Sequence, residues 1–262
     1  MVLVDLASAF ARMDERESTT TMTIALFPPS GFSASCFAGA FARAMTNAGA
    51  RALAVDVPGR LGVRGDAPGS LVEFARACAR EVDDALREDE EVFYFGHSSG
   101  AWMAYEAARA ARRRPRKAYV SGARAPCLAH WSNDLDVENP QLSVIEDTEV
   151  FWEAFFKRYG INALLTNATR RTMLSSLRND FRMSESYEPS GMSAGCAITA
   201  IGTRGDGRYD ASQLAMWRNH AVEYAEQWFD APSGVSPHRV AIEAPLEIAE
   251  FIARDMISSL PL

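Results

Sequence analysis

The apolar run Val92-Phe93-Tyr94-Phe95 leads directly into Gly96-His97-Ser98-Ser99-Gly100, and the helix formers Ala101 to Ala108 follow at once. This G-x-S-x-G pattern predicts a sharp strand-to-helix turn that raises one serine above the end of a sheet. Such a turn strains the backbone at the serine and crowds its neighbours, so the flanking positions need glycine. Without the flanking strand and helix the five letters are weak evidence, because glycine and serine are common. With them, the strand must sit inside a sheet and the helix must cover it, which restricts the whole chain to an α/β arrangement.

The rest of the chain agrees with that restriction. Met22–Phe27, Arg51–Val57, Lys117–Ser121, Cys196–Gly202 and Tyr224–Phe229 read as strands. Helical patterns near Ala34–Thr46, Leu71–Leu86, Ala211–His220 and Pro245–Ile257 alternate with them. Alternation of this kind predicts a mostly parallel sheet with helices on both faces. The rhythm breaks between about 128 and 190, where Val150–Phe156 and Arg171–Phe181 are helical with no strand between them. A helical block inserted there is expected to form a lid over a pocket at the strand ends. Residues 1–21 lack strong periodicity and read as a flexible N-terminal extension before a domain spanning 22–262.

Bulk properties narrow the function. A chain of 262 residues suits one large domain able to bury roughly three quarters of its unfolded surface. A net charge of −7 argues against nucleic acid or an anionic membrane as partner. Asp5 interrupts the apolar opening, no basic segment precedes it, and no run has the length of a membrane helix. Cys36, Cys78, Cys127 and Cys196 have no metal-ligand spacing, so four reduced thiols, no metal and a cytoplasmic protein are expected. A monomer is a separate expectation. Cys78 falls in phase with Leu71, Ala75 and Val82 and reads as a core thiol.

A serine needs a base, and the base needs an acid to orient it. With this elbow the chain order is serine, acid, histidine. Of the four histidines, His97 lies inside the elbow, His130 precedes the helical block, and His220 reads as a surface or capping residue. His238 follows the final strand, where a loop can return to Ser98, and is the candidate base. Asp206 sits just past the Ile198–Gly202 strand and is preferred as the acid to Asp210, which reads as a helix N-cap. One oxyanion donor is expected from the Ser99 N–H, and the other from the Phe27–Ser35 loop.

Together these residues resemble the type II thioesterases of polyketide and non-ribosomal peptide pathways, a branch of the α/β-hydrolases. The resemblance rests on Phe27-Pro28-Pro29-Ser30-Gly31, Val57-Pro58-Gly59-Arg60, Phe95–Gly100, Val120-Ser121-Gly122-Ala123-Arg124-Ala125-Pro126, Leu177–Phe181 with Tyr187, and Gln213–Arg218. It implies Ser98 as nucleophile, Asp206 as acid, and backbone donors at Ser30 and Ser99. It also implies a substrate carried on the phosphopantetheine of an acyl or peptidyl carrier protein, with no other cofactor. The departure is at the base: the family's proline-glycine-glycine-histidine-aromatic run is here Pro232-Ser233-Gly234-Val235-Ser236-Pro237-His238-Arg239-Val240. Transfer to a non-water acceptor, as in an acyltransferase or cyclase, and non-catalytic carrier binding are the alternatives. Arg112–Lys117 is the one dense basic run, expected as a solvated helix end with carrier docking as its alternative role. Trp131, Trp152, Phe155 and Phe156 are expected either to line an acyl channel or to form the lid's core.

Overall fold

The computed structural model describes residues 3–6, 22–60, 62–161 and 165–260. Seven strands form one sheet: β1 (Leu3–Asp5), β2 (Met22–Phe27), β3 (Ala50–Val55), β4 (Glu91–His97), β5 (Lys117–Ser121), β6 (Ala197–Thr203) and β7 (Tyr224–Phe229). Their spatial order is β1-β3-β2-β4-β5-β6-β7, and every pairing except β1 with β3 is parallel. The period-2 alternation of a strand decides what each face sees. In β4, Val92 and Tyr94 pack with α2 (Leu71–Ala85) and α3 (Ser99–Ala110), while Phe93 and Phe95 pack with α1 (Ala40–Asn47) and α8 (Leu246–Ser258). Both faces are therefore covered, as a parallel sheet requires.

Local chemistry sets the helix ends. In α2 the Leu71, Phe74, Ala75, Cys78, Ala79 and Val82 stripe is buried, and Ser70 caps the start by accepting from the Glu73 N–H. The helix expected over Ala34–Thr46 is broken into a 3₁₀ turn at Ala34–Phe37 and α1 from Ala40, with Gly39 between them. Glycine weakens a helix interior through its extra backbone freedom, so the break falls there. The pattern at Ala211–His220 divides similarly into α6 (Ala211–Ala215) and a 3₁₀ turn at Met216–His220.

One boundary differs from expectation. Leu3–Asp5 is an edge strand rather than extension, in antiparallel register with Leu53–Val55, and Leu6 is buried. β3 otherwise presents an unpaired edge, and the alternating Leu3-Val4-Asp5-Leu6 segment covers it. The remainder of the expected extension lies outside the described residues.

Between β5 and β6 the chain leaves the sheet and forms α4 (Thr148–Tyr159) and α5 (Asn167–Glu185), the two helices of the expected insertion. Asp147 and Thr166 cap them through side-chain oxygens. Their apolar faces make a separate small core of Leu142, Phe151, Trp152, Met173, Leu177 and Phe181. After β7 come the short α7 (Val240–Glu243) and α8. No described helix is long and apolar enough to cross a membrane.

Candidate active site

Ser98 stands between β4 and α3 with φ 55° and ψ −124°, the one non-glycine residue at positive φ among the described residues. The turn survives because its flanks have no side chains. A Cβ on Gly96 would lie 2.0 Å from the Gly100 carbonyl oxygen, and one on Gly100 would lie 2.2 Å from that of Phe27. The Ser98 N–H donates to the Ser121 carbonyl at 2.8 Å, pinning the turn to the end of β5.

Two loops converge on this serine. His238 arrives on a 3₁₀ turn, Pro237–Arg239, with its Nε2 3.1 Å from Ser98 Oγ. Its Nδ1 lies 2.9 Å from Asp206 Oδ2 and 3.2 Å from Oδ1. Asp206 follows the end of β6, is itself buried, and accepts the Arg208 N–H at 3.0 Å. Burial alone would raise the Asp206 carboxyl, but the facing His238 and these hydrogen bonds hold it below the usual carboxylate range. An ionised Asp206 accepts the Nδ1 proton of His238 and leaves Nε2 free to take one from Ser98. Asp210, the acid not preferred, is the N-cap of α6 with a capping box to Gln213.

The backbone donors lie beside the serine. Neither the Ser30 nor the Ser99 N–H donates to any described residue, whereas the neighbouring Gly31 N–H is committed to Asp180 Oδ2 at 2.6 Å. The side chains of Ser30 and Ser99 also meet, Oγ to Oγ at 3.0 Å, so the elbow and the β2 loop are joined directly.

Several supporting residues stand in the runs named above, but nothing local in the chain records their partners. His97 does point away from Ser98: its Nε2–H donates to the His238 carbonyl at 2.7 Å and its Nδ1 lies 3.2 Å from Ser121 Oγ. Burial, then the facing His238, pushes the His97 imidazole down to about 3, so it is a neutral strut beneath the base loop. Arg60 and Asp180 form a buried ion pair at 3.0 Å, and Arg60 Nη1 also donates to the Pro29 and Phe32 carbonyls. Arg239 donates to the carbonyls of Tyr159, Gly160 and Ile161, tying the base loop to the end of α4. His220 is a correction. It is fully buried rather than at the surface, bonded to Tyr105 Oη and the Cys127 N–H, because the 3₁₀ turn stacks it on the same inward side as Trp217.

A cavity of about 110 Å³ opens above Ser98 between the sheet and the helical insertion. Trp131 and Phe155 line it, while Trp152 and Phe156 stack on each other at 5.8 Å inside the insertion, so the four aromatic candidates divide between channel and core. Among the described residues no three His, Cys, Asp or Glu side chains gather as a metal site.

The thioesterase domain family matches residues 22–253 of the chain. This protein belongs to that family. Among characterised proteins, the family member is 30% identical over 177 residues to the thioesterase PikA5 of Streptomyces venezuelae, an alignment covering 64% of this chain and 59% of PikA5. The thioesterase-family chain thus matches less than two thirds of that relative's length. It is 24% identical over 209 residues to the gramicidin S biosynthesis protein GrsT of Aneurinibacillus migulanus, covering 77% of each. Among solved structures, YbtT, a type II thioesterase from the yersiniabactin NRPS/PKS biosynthetic pathway, aligns over 100% of both chains with a TM-score of 0.77 at 21% identity. That likeness establishes the α/β-hydrolase fold of this thioesterase-family protein.

Proposed function

We propose that the protein is a type II thioesterase that hydrolyses acyl groups from phosphopantetheinyl carrier proteins of a polyketide or non-ribosomal peptide pathway. The observation that carries the reading is the unbroken hydrogen-bonded series Ser98–His238–Asp206 beside two uncommitted N–H groups. The pathways named for the relatives GrsT and YbtT support the substrate class.

In this reading Ser98 Oγ attacks the thioester carbonyl carbon while its proton passes to His238 Nε2. The tetrahedral oxyanion is held by the Ser30 and Ser99 N–H groups, with Ser99 at the first turn of α3 adding the favourable end of the helix dipole. The C–S bond then breaks, and the departing phosphopantetheine sulfur takes the proton from His238. Water next gives a proton to His238 and attacks the acyl-enzyme. Collapse releases the free acid and returns the proton to Ser98.

Intact-mass spectrometry of acyl-loaded carrier protein incubated with the wild type, Ser98→Ala and His238→Ala tests the proposal. The expected result is loss of the acyl mass as free acid, with each substitution lowering the rate by about 10⁴–10⁶. An acyl group that stays on the carrier with all three proteins overturns it, and an ester or amide product assigns transfer instead of hydrolysis.

A further inference from the structure

One wall of the cavity is built on a buried charge cluster. Asp134 sits between two arginines: Arg124 Nη1 donates to its Oδ2 at 2.6 Å, and Arg208 Nη2 lies 2.7 Å from both of its oxygens. Arg124 is fully committed, since its Nε and Nη2 donate to the Leu128 and Ala129 carbonyls. Arg208 is not. It is 8% exposed and lines the cavity with Ser98, yet among the described residues its Nε and Nη1 have no hydrogen-bond partner. Its guanidinium carbon lies 5.4 Å from the Tyr159 ring centroid, and that ring lies 5.2 Å from the His238 ring. The free donors are therefore one aromatic ring removed from the base, held by an ion pair and a ring face that fix the plane of the fork.

Resting on the acyl-cleaving reading of the site, we infer that Arg208 forms a subsite for an acyl chain carrying a neutral oxygen acceptor, a hydroxyl or keto group, beyond the thioester carbonyl. These donors open onto the cavity, so a purely hydrocarbon chain seated there would strip them of water and leave them unpaired, whereas an oxygen acceptor satisfies them. The charge of the wall selects among acceptors. Asp134 and Glu185, which also lines the cavity, balance Arg124 and Arg208; Arg239, the third arginine of the lining, is paired with Glu243, and the Glu185 oxygens are already taken by the Leu142 and Ser143 N–H groups. A carboxylate on the acyl chain would add an unbalanced buried charge, which costs more than a neutral acceptor.

The test compares butyryl-, 3-hydroxybutyryl- and succinyl-pantetheine as substrates for the wild type, Arg208→Met and Arg208→Lys. Active sites are counted by reaction of Ser98 with a fluorophosphonate, and folding is checked by thermal melting. The expected wild-type kcat/KM for 3-hydroxybutyryl exceeds that for butyryl by about 10- to 100-fold, the value of a hydrogen bond to a charged group. In Arg208→Met the ratio falls towards one, and Arg208→Lys keeps part of it. Asp134 retains Arg124 in either variant, so no buried carboxylate is orphaned. A wild-type ratio near one overturns the subsite without any variant, as does a ratio that Arg208→Met leaves unchanged. Preference for succinyl overturns the neutral-acceptor assignment. Failure of the wild type on all three substrates overturns the thioesterase reading and this inference with it, whereas equal hydrolysis of all three overturns this inference alone.

Discussion

At the residue scale, His97 shows how an elbow residue turned away from the Ser98 hydroxyl still positions the proposed base. Its Nε2–H holds the His238 carbonyl, so the position of the proposed base depends on a neutral imidazole buried beneath it. The consequence is a pH dependence of stability with a definite sign. His97 is pushed down to about 3 in the folded protein against about 6.5 when unfolded, so below pH 6.5 the unfolded chain binds the extra proton. Its contribution is complete above pH 6.5 and is lost as pH falls towards 3, amounting to about 2 kcal/mol by pH 5. Buried His220, also lowered by burial, acts in the same direction. Denaturant melts of wild type and His97→Asn at pH 7.5, 6 and 5 check this. The wild type is expected to lose stability steeply below pH 6.5 and the variant less steeply; parallel curves would mean that His97 takes no part.

At the element scale, the insertion is attached to the catalytic loops at two places by different means. The end of α4 is tied to the base loop through Arg239, and α5 is tied to the β2 loop through Asp180, which faces Arg60 and the Gly31 N–H. The second link is a buried charge pair, so removing one partner leaves the other uncompensated. Asp180→Ala is expected to cost about 3–5 kcal/mol in urea denaturation. It is also expected to lower kcat more than it raises KM, because the neighbouring Ser30 N–H loses its fixed position. Asp180→Asn keeps an acceptor for Gly31 and is expected to retain more of both. A loss of stability with kcat unchanged would show that the link supports the fold without positioning the donor.

On the scale of the whole molecule, the sheet separates the chemistry from the basic run. Ser121 ends β5 beside Ser98, while Lys117 begins it, about 13 Å away along the strand. The charges of the run are largely spent on neighbours: Arg112 on Asp83, Arg116 on Glu91 and Lys117 on Asp255. Both facts favour the solvated-end reading over a docking site for a carrier that delivers its arm to Ser98. The double variant Arg112→Gln/Arg116→Gln is accordingly expected to change KM for an acyl-carrier substrate by less than about twofold at low salt, where surface charge acts most strongly. A rise of tenfold or more would place carrier contact on this face.

The chain's local patterns determined the α/β architecture, the elbow, and the candidates Ser98, His238 and Asp206. Each is written in short-range physics: period-2 apolar runs, helical stripes, glycines beside a strained serine, and residues just past strand ends. The edge strand at Leu3–Asp5 was hidden because three residues carry too little periodicity to distinguish a strand from a tail. What only the tertiary structure decided is which distant groups meet. Arg60 was visible within its Pro58-Gly59-Arg60 run, but its partner Asp180 stands 120 positions away; Arg208 and Asp134 are separated by 74. No periodicity records such pairings, because they arise when packed layers enclose polar groups that must then find partners among whatever lies nearby. The elbow is local and so is legible in the sequence, whereas the charged wall of the same cavity is assembled by folding and becomes legible only in three dimensions.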